Sequence, residues 1–213
     1  MNKKRIAIVG AGDLGKQVAH FISQENKRQV VGFFDDFTNN EQFNGDQIIG
    51  KVQSIFSSYK NDVFDSLIIA IGYNHLKFKD NLYKSLKDRI PFETIVHPSV
   101  IIDPTSNIEE GCVIYPGCII DQRVKICSNT LLNLGVIISH DSEIGTSNFL
   151  APGVVVSGFC KSKERVFIGS NSTIRNNIII GSDIKIGQGS NIIKNISQKG
   201  TYFGNSIRYY GTN

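Results

Sequence analysis

Two short segments of this chain combine residue types that could do chemistry. The first is Gly10, Gly12 and Gly15, a GxGxxG pattern between an aliphatic run and a helix-like stretch, with Asp35 twenty residues beyond the third glycine. Such glycines permit a tight turn and a close approach of phosphates to a helix N-terminus, and the later acid can bind a ribose hydroxyl. The spacing predicts a nucleotide site, although a tight turn that binds nothing would use the same glycines.

The second segment is Ser139-His140-Asp141, where a histidine stands among Ile, Val, Asn, Ser and Gly residues. The adjacent carboxylate could orient the imidazole ring or raise its basicity, as a general base requires. A surface histidine without a role is the alternative. Of the other histidines, His20 and His97 are interpreted as packing or structural residues, and His75 as the start of a helix near the ligand edge of a sheet.

The glycine pattern lies within residues 1–92, where strands and helices are expected to alternate. This alternation indicates a small parallel sheet covered by helices. Gly72, Asn74 and Lys77 follow the third strand, at the carboxyl edge where open α/β sheets bind ligands, although a helix cap with a solvated lysine is an equal alternative. The expected elements are strands 5–9, 30–34, 66–71 and, more weakly, 48–52, helices 13–25 and 75–88, and a loop over 37–47.

The histidine segment lies in a region with a six-residue period. Starting at Val96, sixteen of seventeen positions spaced by six are aliphatic, and only Ser162 interrupts the series. The residues two positions before the aliphatic ones are mostly small, and Gly, Asn or Asp recur just after the aliphatic residues. This period predicts a β-helix of hexapeptide repeats, in which three hexads form one triangular coil. A domain boundary is expected near residues 90–97, which gives domains 1–92 and 93–213.

The coil length brings a second residue to His140. Gly158 follows it by three hexads, which is one full coil, so it should stack on His140 and leave a backbone N–H approachable. A base beside a free N–H suits acyl transfer, since one group deprotonates the nucleophile and the other holds the oxyanion.

Composition excludes several classes of protein. With 40% apolar and 20% charged residues in 213, the chain suits a soluble globular protein, and no apolar run approaches a membrane span. The short aliphatic run after the basic N-terminus is too brief for a signal-peptide core, so a cytoplasmic protein is expected. The net charge of +4 favours anionic small ligands over nucleic acid.

The cysteines and the charges refine this expectation. The four cysteines lack CxxC spacing, which favours buried reduced thiols over a metal site, and no metal is expected. Residues 93–160 carry two basic residues against seven acids, a net −5, whereas residues 161–213 carry eight against two, a net +6. The last coils would attract a polyphosphate ligand, unless these charges are merely solvated.

Together these features resemble a known family, the bacterial nucleotide-sugar N-acetyltransferases that acetylate a 4-amino-4,6-dideoxy sugar, as in the bacillosamine pathway. The resemblance covers essentially the whole chain. It is carried by the hexad series and by the segments Gly10-Ala11-Gly12-Asp13-Leu14-Gly15, Asp35-Asp36, Ala70-Ile71-Gly72-Tyr73-Asn74, Ser139-His140-Asp141 and Gly204-Asn205. It implies a small Rossmann-like α/β domain followed by a left-handed parallel β-helix, an exception to the usual crossover handedness.

The resemblance also implies a homotrimer, with acetyl-CoA in the cleft between neighbouring β-helices and the nucleotide sugar on the N-terminal domain. By position, His140 matches the base, Asp141 its acidic neighbour and Gly158 the N–H donor near the thioester. The residues matched to the nucleotide-sugar site are Gly10, Gly12, Asp13, Leu14, Gly15, Asp35, Asp36, Gly72, Asn74 and Lys77. Those assigned to acetyl-CoA are Phe149, Gly158, Ser170, Arg175, Lys185 and Lys194.

Three positions depart from the family pattern. Asp13-Leu14 stands where Gly-His is common, and Lys77 replaces a common Arg, which leaves the sugar and nucleobase open. Phe149 stands where a second histidine is frequent near the thiol end of CoA, so that histidine is an accessory group rather than the base. The function expected is N-acetylation of a nucleotide-linked 4-amino sugar for a bacterial surface glycan or glycoprotein. The alternatives are a sugar O-acetyltransferase of the sialic-acid type and a non-catalytic nucleotide or NAD sensor.

Overall fold

The computed structural model describes residues 3–38, 42–43, 46–205, 208–209 and 211. The chain divides into two compact units, Met1–Ile95 and Val96–Asn213. The division falls a little beyond the expected residue 92. The reason is that Leu67 donates its N–H to the Pro91 carbonyl and accepts from the Glu93 N–H, which adds this segment to the first unit.

The first unit is a five-stranded sheet with helices on both faces. Its strands run in the order β3-β4-β2-β1-β5, parallel except for the antiparallel pair β3–β4. The elements are β1 (Lys4–Val9), α1 (Asp13–Ser23), β2 (Arg28–Phe34), β3 (Gln42–Phe43), β4 (Asp46–Gly50), α2 (Ile55–Lys60), β5 (Ser66–Ile69) and α3 (Leu76–Leu86), with 3-10 turns at Val52–Ser54 and Tyr73–His75.

Alternation of apolar side chains in the central strands explains this layering. Ala7 and Val9 of β1 pack into a core with Phe34, Phe64 and Tyr83, while α1 packs against β1 and β2. Because successive strand side chains face opposite sides, a fully apolar strand such as Ile6–Val9 can be buried on both.

The structure corrects the expected elements at one place. The loop expected over 37–47 contains strand β3 and the start of β4, and the weak strand expected at 48–52 is β4, Asp46–Gly50. Part of that loop, residues 39–41 and 44–45, lies outside the described residues. Helix α2 was not expected, because its sequence IFSSYK is short and mostly polar.

The second unit is a parallel β-helix with three faces, and among its described strands only the last is antiparallel. The first face contains Ile101–Ile102, Ile119–Ile120, Ile137–Ile138, Val155–Val156, Thr173–Ile174 and Asn191–Ile192. The second contains Asn107–Ile108, Lys125–Ile126, Glu143–Ile144, Lys161–Ser162 and Ile179–Ile180. The third contains Ile95–Val96, Val113–Ile114, Leu131–Leu132, Phe149–Leu150, Phe167–Ile168, Ile184–Ile186, Gly200–Phe203 and Arg208–Tyr209.

The hexad period explains the register of these strands. Each strand pairs with the one that follows three hexads later, as Ile120 does with Ile138, and the second residue of the pair points inward. From Ile114 to Ile192 every inward position of the series is buried. Ser162 is the one residue of this series that is not aliphatic. Its hydroxyl accepts a hydrogen bond from the Asn148 side-chain amide at 2.6 Å and is therefore satisfied inside the coil.

Three corners join the faces: the first corner follows the first face, and the second and third follow in turn. In most of these turns one residue has a left-handed backbone, with φ between 54° and 74°. At the third corner this residue is usually glycine, which adopts the conformation at little cost. At the first corner the left-handed residues are Arg123, Asp141, Phe159 and Asn177. No helix in the described part of the chain is long and apolar enough to cross a membrane.

Candidate active site

His140 lies at the first corner with one ring nitrogen held and the other open. Its Nδ1 is 2.9 Å from Oδ2 of Asp141. A carboxylate can only accept, so Nδ1 carries the proton and the neutral ring presents Nε2 as an acceptor. Among the described residues no group bonds to Nε2, and the side chain is 42% exposed. The ring can therefore accept a proton from a molecule that approaches from outside.

Asp141 is held in turn by Arg123, one coil earlier. The guanidinium donates from Nε to Oδ1 at 2.7 Å and from Nη2 to Oδ2 at 2.9 Å. This bidentate pair and the His140 contact hold the pKa of Asp141 well below its usual range, so the carboxylate stays ionised at neutral pH. Arg123 is not among the residues predicted from the sequence, although its position three hexads before Asp141 is a signal for the contact.

Gly158 lies directly against the imidazole ring, as the coil length predicted. A Cβ built on Gly158 would be 2.9 Å from Nε2 and 2.8 Å from Cε1 of His140, so any larger residue here would displace the ring. The described residues supply no acceptor for the Gly158 N–H. Its neighbour Phe159 places its ring 5.1 Å from the His140 ring, nearly perpendicular to it, and is half exposed. An imidazole with one open nitrogen, a glycine and an apolar ring thus occupy one small surface.

The second candidate site is a cavity of about 420 Å³ at the carboxyl edge of the α/β sheet. Its walls are mostly apolar and include Gly10, Asp35 and Asp36 from the predicted set. His75, Phe37 and Phe78 also line it. The first of these was considered only weakly from the sequence, and the two phenylalanines were missed because isolated aromatic residues carry no motif.

Both acids of this site already hold backbone groups. Asp35 accepts from the N–H groups of Ala11, Phe37 and Thr38 at 2.8–2.9 Å. Burial raises the pKa of Asp35, but these hydrogen bonds outweigh it and leave the pKa below its ordinary value. Asp36 accepts from the Val52 N–H at 2.9 Å. These contacts position the glycine loop and the chain after β2, and binding of a ribose by either acid stays a prediction.

The three glycines of the loop have different surroundings. A Cβ on Gly15 would overlap the Gly10 carbonyl oxygen, and one on Gly10 would be 2.7 Å from the Ala70 carbonyl oxygen. A Cβ on Gly12 would meet nothing within 4 Å, and the same is true of Gly72. Gly10 and Gly15 are therefore needed for packing, whereas Gly12 and Gly72 leave space for a ligand.

The other predicted residues of this site surround the same edge. Asp13 and Leu14 begin helix α1 between Gly12 and Gly15, and Asn74 lies in the 3-10 turn that precedes α3. Lys77 is exposed on the first turn of α3. None of these four residues lines the cavity itself.

The residues assigned to acetyl-CoA do not form one group within this chain. Arg175 and Lys194 lie at the first corner, on the same edge as His140. Ser170 lies at the third corner, and Phe149 and Lys185 lie on strands of the third face. Phe149 is buried and packs on Phe167 with ring centroids 5.9 Å apart. Their role in CoA binding stays a prediction.

Two other features of the described residues add no candidate chemistry. The described residues contain no cluster of His, Cys, Asp and Glu that could hold a metal ion. A larger groove of about 650 Å³ runs along α1 and β2 and is lined by Lys16, His20, Arg28 and Gln47 among others. It contains none of the predicted site residues and lies away from the glycine loop.

Comparisons with known proteins agree with this architecture. Residues 5–85 match the family model described as the PglD N-terminal domain. The acetyltransferase domain of PglB from Neisseria gonorrhoeae FA1090, solved with acetyl coenzyme A, is 22% identical over 98% of this chain and 100% of that chain, with a TM-score of 0.87. The resemblance predicted from the sequence is confirmed.

Two other structures are similar over nearly the same length. PerB from Caulobacter crescentus, solved with CoA and GDP-perosamine, is 22% identical over 97% of both chains, with a TM-score of 0.87. WeeI from Acinetobacter baumannii AYE is 24% identical over 98% of this chain and 100% of that chain, with a TM-score of 0.82. The chain shares their fold. This confirms the expected class, a small Rossmann-like α/β domain followed by a left-handed parallel β-helix.

Proposed function

We propose that this chain is an N-acetyltransferase that moves the acetyl group of acetyl-CoA to the 4-amine of a nucleotide-linked 4-amino-4,6-dideoxy sugar. The observation that carries the proposal is the arrangement of His140, with Nδ1 held by Asp141 and Nε2 open beside Gly158. The PerB structure with CoA and GDP-perosamine and the PglB domain with acetyl coenzyme A support this substrate class.

The chemistry follows from that arrangement. The amine nitrogen attacks the thioester carbonyl carbon and forms the C–N bond while Nε2 of His140 accepts the proton of the amine. The oxygen of the tetrahedral intermediate becomes negative and faces the Gly158 N–H. The C–S bond then breaks, and the proton on Nε2 passes to the sulfur, so the products are the N-acetylated sugar and the CoA thiol. Asp141 keeps the ring in the tautomer that this sequence requires.

The cavity at the sheet edge is the proposed site of the nucleotide sugar. Gly12 has free space at the start of α1, where backbone N–H groups favour a phosphate. The apolar walls, including Phe34 and Phe78, can pack against a base or a sugar ring. The polar groups of this site that remain available to a ligand are therefore mainly backbone atoms and His75.

A homotrimer is proposed because one copy leaves an apolar surface exposed. On the first face the outward residues Ile101, Ile119 and Ile137 are 64%, 40% and 37% exposed. On the second face the corresponding outward positions are occupied by charged residues, such as Lys125 and Glu143. An aliphatic stripe of this kind is typical of a subunit interface. A neighbouring copy would also bring a second edge to the first corner, where the residues assigned to CoA are incomplete.

Sedimentation of the wild-type protein and of Ile119→Lys tests this assembly. We expect a trimer for the wild type and a weakened trimer with low activity for the variant, because a lysine on the stripe would be desolvated in the interface. A stable, fully active monomer contradicts the proposal.

We place the reaction in the cytoplasm, where acetyl-CoA and nucleotide sugars are available, within synthesis of a bacterial surface glycan or glycoprotein. All four cysteines are free and buried, which suits a reducing compartment. Burial raises the pKa of the Cys118 thiol to about 11, so we expect this thiol to stay protonated and inert.

A CoA-release assay against a panel of UDP-, dTDP- and GDP-linked amino sugars tests the function. Release of CoA with a product that is stable to mild base supports amide formation. A product that loses its acetyl group in mild base would instead support the sugar O-acetyltransferase. Tight binding of a nucleotide sugar or NAD without CoA release under any condition would support the sensor.

A further inference from the structure

Arg123 and His140 share one hydrogen-bond partner, an oxygen atom of the Asp141 carboxylate. Its Nη2 donates to Oδ2 of Asp141 at 2.9 Å, and Nδ1 of His140 lies 2.9 Å from that same oxygen. The second arm of the guanidinium holds Oδ1 at 2.7 Å. Because both of its oxygens are fixed from the preceding coil, the carboxylate cannot rotate away from the imidazole without breaking a bidentate pair.

The β-helix contains a second copy of this pair without a histidine. At the second corner, Arg165 donates from Nε and Nη2 to Asp183 at 2.8 and 2.9 Å, again three hexads apart and again between two left-handed residues. The residue before Asp183 is Ser182, in the position that His140 has before Asp141. Linking successive coils therefore requires only an arginine and an aspartate, and the contact with a base is particular to the first corner.

We propose that Arg123 is a positioning residue for the reaction proposed above. It fixes the Asp141 carboxylate so that Nδ1 of His140 keeps its proton and Nε2 points outward. Its positive charge also partly offsets the electrostatic effect of the Asp141 carboxylate on the ring. The inference rests on the proposed function for its kinetic test, but its structural content concerns only the ring and its partners.

The charges around His140 give the direction of the effect. Asp141 and Arg123 face the ring as described, and Asp121 accepts from the His140 backbone N–H at 3.2 Å. Within this group of described residues, Arg123 carries the positive charge. Without it, the negative charge of Asp141 would act on the ring without a neighbouring positive charge, and the imidazolium form would be favoured. A protonated ring cannot accept the amine proton, so activity should be lost at the acid end of the pH profile.

The matched variants are Arg123→Gln, Arg123→Lys and Arg165→Gln. For Arg123→Gln we expect the acid limb of kcat/KM to move to higher pH by about half a unit, from the loss of one nearby charge. We also expect kcat on the plateau to fall about tenfold, by analogy with the loss of a hydrogen-bond partner behind a metal-ligating histidine. Arg123→Lys keeps the positive charge, so its acid limb should lie at the wild-type pH. Its kcat should lie between the values of Arg123→Gln and the wild type. Arg165→Gln should leave both unchanged.

NMR of the His140 ring nitrogens gives a readout that does not depend on activity. In the wild type we expect the neutral ring to carry its proton on Nδ1, and in Arg123→Gln a mixture of the two tautomers. The inference is overturned if the tautomer and the pH profile of Arg123→Gln match the wild type, or if Arg165→Gln shifts the profile equally. An inactive wild type that shows the expected tautomers would overturn the proposed function and leave the positioning role supported.

Discussion

The two candidate sites of this chain use their acidic residues in opposite ways. At the edge of the α/β sheet, Asp35 and Asp36 accept backbone N–H groups, and so the acids build the loop that surrounds the cavity. At the first corner of the β-helix, Asp141 holds one side of His140 and leaves the other side open. The comparison teaches that an acid in a motif is available to a ligand only after the backbone donors around it have been counted.

The largest expected effect is a loss of activity when His140, at the first corner of the β-helix, is replaced. His140→Ala and His140→Asn should lower kcat by about 10²–10⁴-fold, because removing a general base typically costs that much. The assembly and the affinity for both substrates should be nearly unchanged, since the exposed ring does not fill the core. Kinetics at saturating substrates and sedimentation check both points.

The pH profile adds a control for His140. The wild type should lose activity at low pH because only neutral imidazole accepts a proton, and this limb should be absent from His140→Ala once titration of the amine substrate has been measured separately. Retention of more than about half of the wild-type kcat in His140→Ala would place the base elsewhere, with His75 at the sheet edge as the next residue to test.

The next effect concerns the glycine loop and separates packing from ligand space. Gly15→Ala forces a Cβ onto the Gly10 carbonyl oxygen and should lower the free energy of unfolding by about 1–3 kcal/mol or more. Gly12→Ala meets no protein atom within 4 Å and should keep near-wild-type stability. It should nevertheless raise KM for the nucleotide sugar about tenfold, because the methyl group takes space next to the helix N-terminus. Thermal unfolding and kinetics of the two variants are the measurements.

An opposite pattern would change the interpretation of this site. If Gly12→Ala binds the nucleotide sugar as well as the wild type, the ligand does not approach the loop, and the cavity walls alone would have to hold it.

Smaller effects on stability and on ligand affinity are expected from substitution of Asp35 and Asp36. Asp35→Asn loses charge-assisted bonds to three N–H groups and should destabilise the first unit by about 1–3 kcal/mol, whereas Asp36→Asn loses one bond and should cost less. Affinity for the sugar nucleotide should fall in the same order, and acetyl-CoA binding should hardly change. Calorimetry with each ligand separately checks this, and a loss confined to CoA binding would contradict the assignment of the two ligands.

The lowered pKa of Asp35 adds a pH dependence to this prediction. Because its pKa is lower in the folded than in the unfolded protein, its contribution to stability is present above the unfolded pKa and is lost as pH falls through the folded one. The difference in stability between wild type and Asp35→Asn should therefore shrink in acid. An unchanged difference down to the pH of acid unfolding would show that the charge of Asp35 is not involved.

The sequence predicted the β-helix more completely than the α/β unit, for a physical reason. A strict six-residue period determines register as well as element type, so the contact of His140 with Gly158 followed from arithmetic alone. The same arithmetic contained the pair of Arg123 and Asp141, which was not sought. It could also have shown that Phe149 and Arg175 belong to different sides of the coil.

In the α/β unit, local pattern determines less. Strands β3 and β4 are formed partly by Asn- and Gly-rich sequence that is typical of loops, and their place depends on pairing at the sheet edge. The spacing of Asp35 from the glycines was correct for an acid at the end of β2, but spacing cannot show that both of its oxygens are already bonded. Tertiary contacts therefore decide what the motif does.

The smallest expected effect concerns Phe159, which lies beside His140. It tests whether keeping an aromatic residue there lowers the stability of the β-helix. Phe159 is a bulky residue with φ of 60°, and the residue one coil later at this register is Asn177, which tolerates that conformation better. Phe159→Asn should therefore raise the free energy of unfolding by about 0.5–1 kcal/mol while it removes the ring beside His140. We expect kcat/KM to fall a few-fold at the same time, because an apolar ring 5.1 Å from the imidazole is lost.

Phe159→Leu is the matched control for this trade-off. Leucine keeps an apolar side chain and the strained backbone, so it should give no gain in stability and a smaller loss of activity than asparagine. Chemical denaturation and kinetics of both variants separate the two contributions. If Phe159→Asn is both more stable and fully active, the aromatic ring has no function at the base, and the first corner would tolerate any residue that accepts a left-handed backbone.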